Sequence, residues 1–492
     1  MSKDNIVFFV ADQMRADSLH HLGNSASKTP NLDNLLAEGI SFDNAYCQNP
    51  VCVPSRCSFL TGLYPHTTGH RTMHFLQNED EPNILKEMKN NGYEVIWIGR
   101  NDVIPANRSK EAYCDEFYDG VNTENMFNKY DPELFKKLPH PSLNKLAVSD
   151  DQYYSFYIGR LEKDMAAKDF DWNCLKSALD YLDHRSKNTD QKPFFLYITL
   201  QFPHPPYGCE EPWYSSIDRL SLLPRRKDLD LLKDKPSMLR GIHQKQNMQT
   251  WSEERWSELR ATYLAMVSRF DHQFGIFADK LKACHLYDKT NIFVFSDHGD
   301  YTGDYGIVEK VQNCFENPIS NVPLLIKPAK HYRCQARVTH ALAELADLSA
   351  TVADMAGFSL SYTQFGKSLL HLISKEEVHK DAVFCEGGRI HGEKQCMELG
   401  HGPESPYYPR LSTQYEEGPQ HTKAVMIRQG NFKYTKRLYE SDEFYDLSKD
   451  QMELNNQINN PVYQGEIKSM RDRLLDFYQE TTDFVPNRRD KR

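Results

Sequence analysis

"NIVFFVADQ", residues 5–13, runs six apolar residues, Ile6 to Ala11, straight into Asp12 and Gln13. A continuous apolar run of this length, with no period-two alternation, predicts a strand buried on both faces. Burial on both faces is the condition of a parallel strand covered by helical layers. The pattern recurs three times. "YEVIWIG" (93–99) runs into Arg100-Asn101-Asp102, "PFFLYITLQF" (193–202) into Pro203-His204, and "NIFVFS" (291–296) into Asp297-His298-Gly299.

Helix-period segments alternate with these runs. "TPNLDNLLAEGISF" (29–42) spaces Leu32, Leu35, Leu36 and Ile40 helically, and "NILKEMKNNG" (83–92) is a helix closed by a glycine turn. Residues 250–284 form a long helix with Thr250 and Glu253 as its capping box. The order predicts an α/β fold with a mostly parallel central sheet. Ligands of such sheets bind beyond the carboxyl ends of the strands. Each polar pair taken singly could simply cap a turn. Four on one edge make a site.

The chain has 492 residues, 39% hydrophobic and 26% charged, which are globular values. A net charge of −10 (59 basic against 69 acidic residues) argues against a nucleic-acid partner. The first apolar run is too short for a signal-peptide core, and no later run approaches a membrane span. Eleven cysteines carry no CxxC and no zinc spacing, so the expectation is a cytoplasmic protein with reduced thiols. A Cys47–Cys57 disulfide is the alternative.

From about 205 to 250 the chain makes a polar excursion, and 388–421 is a long polar loop of the kind that serves as a lid or binding segment. "AVMIRQGNFKYTKR" (424–437) alternates like a hairpin, "EIKSMRDRLLDFYQE" (466–480) is a final amphipathic helix, and "NRRDKR" (487–492) a solvated basic tail. The expected division is a catalytic domain at 1–375 and a C-terminal subdomain at 376–492, with a small antiparallel sheet, the 388–421 loop and the final helix. The sequence shows no internal repeat and leaves the oligomeric state open.

Asp12, Gln13, Asp297 and His298 supply two carboxylates, an amide oxygen and an imidazole, a donor set for a divalent cation. "NPVCVPSRCSFLTG" (49–62) places Cys52 near a helix start, where free N–H groups favour anions, and Arg56 one turn on. Alone, Cys-x-Pro-Ser-Arg could equally be a plain helix cap.

Cys52-Val53-Pro54-Ser55-Arg56-Cys57-Ser58-Phe59-Leu60-Thr61-Gly62 resembles the type I sulfatase signature, Cys-x-Pro-Ser-Arg-x-x-x-Leu-Thr-Gly, at every fixed position. "TPNLDNLLAEGISFDNAYC", "PFFLYITLQFPHPPY", "FVFSDHGDYTGDYG" and "FYDLSKDQMELNN" look like landmarks of the same family. The resemblance implies an alkaline-phosphatase-like α/β/α sandwich with a smaller C-terminal α/β subdomain. It implies conversion of Cys52 to formylglycine by a maturation enzyme. Asp12, Gln13, Asp297, His298 and the modified Cys52 would hold a divalent metal, Ca2+ first and Mn2+ second. Arg56 would steady the nucleophile, with His204 and Lys310 at the sulfate and leaving group. Cys57, at a variable position, is expected only to pack.

Three departures stand out. Gln13 occupies a position where many members carry a second Asp. Arg100 replaces a lysine, and Asp102 a histidine, so leaving-group protonation shifts toward His204. The implied activity is hydrolysis of a sulfate monoester on a small carbohydrate, such as a glycosaminoglycan-derived uronic acid 2-sulfate, with Arg71, His74 or His391 reading the carboxylate. A phosphonate monoester or phosphodiester hydrolase on the same scaffold is one alternative. A non-catalytic binding protein with a degenerate site is another. No membrane partner is expected.

Overall fold

The structure is a computed structural model and describes residues 3–120, 150–161, 169–187 and 192–484. Its large sheet has eight strands: β1 (Asn5–Asp12), β2 (Ile40–Phe42), β3 (Glu94–Gly99), β4 (Glu116–Tyr118), β5 (Phe194–Pro203), β6 (Thr290–Ser296), β7 (Leu324–Lys327) and β8 (Arg337–Thr339). Their spatial order is β8-β2-β7-β6-β1-β5-β3-β4. The strands β6, β1, β5, β3 and β4 run parallel, while β7 is antiparallel to both its neighbours. All four apolar runs quoted above are strands here, adjacent and pointing the same way, so their polar ends share one edge.

The β1 sequence shows why the sheet is buried on both faces. Ile6, Phe8 and Val10 enter one apolar core, and Val7, Phe9 and Ala11 the other. Phe8 meets Phe195, Phe293 and Phe295 edge-on at 5.1–5.2 Å, and Phe9 meets Phe270 and Phe274 at 5.2 and 5.4 Å. Such ring pairs add roughly 0.5–1.5 kcal/mol each beyond area burial. Helix α1 (Cys52–Thr61) lies on the first face, while α2 (Phe170–Ser186) and α3 (Glu253–Ala283) cover the second.

A second, antiparallel sheet consists of β9 (Ala382–Gly387), β10 (Ala424–Gln429), β11 (Phe432–Arg437) and β12 (Glu443–Asp446). Its alternation serves two partners. Val383, Cys385 and Met426 join the main core. Phe384, Ile427 and Phe444 pack with Ile467, Met470 and Phe477 of the final helix, α5 (Gln464–Thr481); α4 (Tyr408–Ser412) lies between β9 and β10. The small sheet is thus docked on the main core rather than tethered to it.

Two local expectations are corrected. Ile40 is not the last turn of a helix. That helix spans Pro30–Leu36, and Ile40 opens β2 beyond the Gly39 turn, paired to Ile326. The long helix is capped by Ser252, which accepts from the Arg255 N–H, and not by Thr250. Buried Trp251 precedes the cap and packs on Trp256 at 4.8 Å, a hydrophobic staple that sets the start two residues later. The polar excursion contains a helix at Ser237–Gln246, and the 388–421 loop contains α4. All eleven cysteines are free, so Cys47 and Cys57 are not bridged, and Cys57 packs in the core as expected. The basic tail lies outside the described residues. Among the described residues no helix is long and apolar enough to cross a membrane.

Candidate active site

The site begins where β1 ends. Gln13 takes a left-handed conformation (φ 71°), a cost that non-glycine residues bear mainly where surroundings over-determine them. Those surroundings are visible. Its N–H donates to Asp297 Oδ1 at 3.1 Å, its carbonyl accepts from the Tyr263 hydroxyl, and its side-chain amide bridges Lys310 and Asp300. At the end of β3, Gly99 has φ 102°, and a Cβ there would lie 2.0 Å from the Thr199 carbonyl oxygen. Only glycine lets β3 lie this close to β5 and turn Arg100 toward the site.

Helix α1 starts at Cys52 itself, behind an extended Val51, and closes on Gly62, whose left-handed conformation (φ 71°) lets its N–H reach Ser58. All ten helical residues are buried. The Ser55 hydroxyl donates to the Asp297 carbonyl, tying the helix to the end of β6. Arg56, fully buried, puts Nη2 3.0 Å from Asp12 and Nε 2.9 Å from Asp297, while Nη1 is buried without a hydrogen-bond partner. A buried ion cluster of this kind is better evidence of a functional geometry than of stability.

Asp12, Cys52, Asp297 and His298 bring their donor atoms within 4.8 Å of one another. His298 directs Nδ1 to the Gly299 carbonyl at 3.0 Å, which turns Nε2 toward the Cys52 thiol at 3.2 Å. Burial holds this imidazole below its usual pKa, so it is a neutral donor. Asp12 Oδ1 meets the Cys52 sulfur and His298 Nε2, both at 3.7 Å, longer than a hydrogen bond to nitrogen. Two buried carboxylates around a neutral imidazole suit a divalent cation. Burial pushes the Cys52 thiol well above its ordinary range, and Asp12 adds to the effect. The thiolate is therefore disfavoured, which speaks against the unmodified cysteine as nucleophile.

Opposite the thiol stands a lysine–histidine pair. Lys310 Nζ is 2.9 Å from His204 Nε2, 2.7 Å from Gln13 Oε1 and 3.0 Å from Glu309. His204 Nδ1 faces the Pro205 carbonyl at 2.6 Å, so that nitrogen carries the proton and Nε2 accepts from Lys310. Burial and then Lys310 hold His204 well below its usual pKa. Burial opposes the Lys310 ammonium, but the negative charges around it, Glu309 and Asp12 among them, outweigh burial and raise its pKa. The proton thus rests on the lysine. Arg100 donates to Asp102 at 2.7 Å and approaches Asp12 at 3.7 Å, and Asp102 also lies 3.9 Å from Arg56. Asp102 therefore orients two arginines.

The three residues expected to read a substrate carboxylate are not bonded to this cluster. Arg71 donates to the Gly388 carbonyl at 3.1 Å and pairs with Glu393 at 2.7 Å. His74 is exposed, and His391 is half-exposed and bonded to Glu417. Sequence reasoning passed over four residues that do join the site's surroundings. Asp300 takes Gln13, Tyr207 and Thr302. Glu309 (φ 73°) is shared by Lys310 and Arg410, the latter at 3.4 Å. Arg410 is buried, pairs also with Glu398 at 3.2 Å, lies over the Tyr407 ring at 5.8 Å, and keeps Nη1 without a hydrogen-bond partner. Burial pushes the Tyr407 pKa up, and Lys310 and Arg100 partly offset it. The signal for Arg410 was its place in the "PESPYYPRL" stretch of the long loop, but no spacing rule ties that stretch to Lys310.

A family model described as Sulfatase matches residues 4–358. An arylsulfatase of Clostridium perfringens (strain 13 / Type A) is 28% identical over 520 residues, covering 96% of this chain and 94% of its own length. A multifunctional alkaline phosphatase superfamily protein of Trinickia caryophylli is 24% identical over 518 residues, covering 96% and 95%. The crystal structure of a phosphonate monoester hydrolase of Agrobacterium radiobacter superposes with a TM-score of 0.75 at 19% identity, over 99% of this chain and all of its own, a likeness of fold. The family match spans Asp12, Cys52, His204, Asp297 and Lys310 alike, and so the chain whose strand ends build this site belongs to the sulfatase family and is a sulfuric ester hydrolase.

Proposed function

We propose that this enzyme hydrolyses a sulfate monoester on a small carbohydrate, a glycosaminoglycan-derived uronic acid 2-sulfate being the type case, with Cys52 acting as formylglycine. The observation that carries the reading is the Cys52 environment: a buried thiol at the start of α1, against His298 and Asp12 and facing Lys310. A thiol so placed is a poor thiolate. A hydrated aldehyde there supplies one hydroxyl to attack sulfur and a second whose deprotonation expels sulfate and restores the aldehyde. Asp12, Asp297 and His298, with the buried Gln13 amide oxygen beside them, would hold the cation, Ca2+ before Mn2+, which when bound supplies charge neutralisation at the sulfate oxygens.

The chain's own residues do the rest. Arg56 steadies the formylglycine hydroxyl, and Arg100 holds the anionic group in line with Cys52, a task suited to a forked guanidinium donor. Lys310 places its charge where the leaving oxygen develops negative charge, and the Lys310–His204 hydrogen bond delivers one proton to it. Arg410 supports an acidic sugar as substrate, since it offers a buried, partly unpartnered guanidinium one carboxylate away from Lys310. A small substrate accords with a cytoplasmic site of action and with maturation by a formylglycine-generating enzyme of the host.

Mass spectrometry of the peptide carrying Cys52, from protein made in its native host, tests this reading. Formylglycine in place of cysteine is expected, and an unmodified thiol in every molecule would overturn it. A second reading, hydrolysis of phosphonate monoesters or phosphodiesters, draws on Gln13 and on Asp102, which leaves His204 as the histidine near the leaving group. Parallel kcat/KM measurements on an aryl sulfate and an aryl phosphonate ester separate the two.

A further inference from the structure

Three side chains of the segment from β9 to β10, none of them bonded to the catalytic cluster, converge. His391 Nδ1 is 2.6 Å from Glu417 Oε2, and His421 Nε2 is 3.1 Å from His391 Nδ1 and 3.2 Å from Glu417 Oε2. Each donor is aimed by a second contact. Glu417 Oε1 accepts from Arg389 at 3.1 Å and from the Gly392 N–H at 3.2 Å, which leaves Oε2 for the cluster. The His391 ring stacks on Tyr439 at 3.8 Å, and the His391 backbone N–H donates to the Tyr439 hydroxyl. Buried His421 sets Nδ1 3.3 Å from the Arg389 carbonyl oxygen, which can only accept, so Nδ1 carries the proton and Nε2 presents a lone pair. That lone pair faces a carboxylate oxygen, and one proton, on His391, is left to serve three electron-rich atoms.

We propose that His391, Glu417 and His421 form a second metal site, for a borderline transition cation of the Zn2+ type, separate from the catalytic cation. Two imidazoles and a carboxylate are a Zn2+ donor set, and bonds of about 2.0–2.2 Å in tetrahedral array separate neighbouring donors by roughly 3.3–3.5 Å. Two edges of this triangle, 3.1 and 3.2 Å, are near that value already, and only the His391–Glu417 edge has to open as His391 gives up its proton. Exposure of His391 and Glu417 leaves the fourth position to water. Backbone and guanidinium partners behind His421 and Glu417 supply the orienting contacts that such ligands require. The ion would tie positions 391, 417 and 421 together at the base of the segment that carries Tyr407 and Arg410, ordering it over Lys310.

The test uses the full chain, freed of metal by chelation and then saturated with Ca2+, titrated with Zn2+ alone by equilibrium dialysis. The wild type is expected to take up one more equivalent of Zn2+ than Glu417→Gln or His391→Ala. Both positions are partly exposed, and circular dichroism checks that the variants fold. Equal uptake by all three proteins overturns the site and leaves protonated His421 as the partner of Glu417. In parallel, Zn2+ is expected to slow amide hydrogen exchange across 389–421 in the wild type alone. Unchanged exchange there overturns the ordering role.

Discussion

Replacing Lys310 by Met removes one cation while keeping most of the side-chain volume. Its ammonium sits 2.9 Å from His204 and 2.7 Å from Gln13, facing the nucleophile position. A unit charge about 4 Å from a developing oxyanion, at an effective dielectric of about 20, is worth about 4 kcal/mol. Loss of one preorganised donor lowers kcat by roughly 10²–10³. The same substitution leaves Glu309, buried, with Arg410 as its remaining ion-pair partner at 3.4 Å. Breaking a buried pair costs about 3–5 kcal/mol of stability. The double variant Lys310→Met/Glu309→Gln separates the two effects, since it removes the stranded carboxylate. It should melt close to the wild type and remain as slow as the single variant on an aryl sulfate. Recovery of turnover to within about tenfold of wild type would show that Lys310 acts through folding, and the mechanism above would fail. The pH profile gives an independent readout. Burial and, after it, Lys310 hold His204 well below its ordinary pKa, so removing Lys310 moves it upward while burial still keeps it below the ordinary value. A general acid is active below its pKa, so residual turnover of the Met variant should fall as pH rises through the pKa of His204. The wild type, whose proton is held by Lys310, should not show that limb. A flat profile for the variant would refute the shared proton.

Three other outcomes are expected. Arg410→Ala should raise KM for a sulfated sugar bearing a carboxylate by about 10–100-fold, the worth of a charged hydrogen bond of roughly 1.5–3 kcal/mol, and leave an uncharged aryl sulfate nearly unaffected; equal loss on both would remove Arg410 from substrate reading. Gly99→Ala should lower unfolding free energy in denaturant titrations by at least roughly 1–3 kcal/mol, because φ 102° is strained for alanine and its Cβ meets the Thr199 carbonyl. Chelation should abolish turnover and lower the melting temperature, with Ca2+ restoring more activity than Mn2+; full activity after exhaustive chelation would exclude the proposed cation.

The strand ends could be read before any coordinates because each is a local event: an apolar run stops and a polar residue follows. Parallel pairing then does the assembling, and Asp12, Arg100, His204 and Asp297 meet without any further instruction. Arg410 could not be read in this way. Its contact with Glu309 joins segments about a hundred positions apart, through a loop without periodicity, and nothing near Arg410 marks the partner. The left-handed Gln13 was equally hidden, because its conformation is imposed by Asp297, Tyr263, Lys310 and Asp300 rather than by its own preferences. Ile40 and Thr250 failed for one reason: spacing was right for a helix, but tertiary packing at β2 and Trp251 decided the boundaries.

The complete burial of α1 has a temporal meaning. Once the sheet has closed, no other protein can reach the Cys52 side chain without unfolding the core around it. If Cys52 is converted as proposed, maturation has to precede folding, and the two processes race on each newly made chain. A molecule that folds first is locked out for its lifetime, so a preparation's specific activity would record how that race was run, and refolding alone would not raise it.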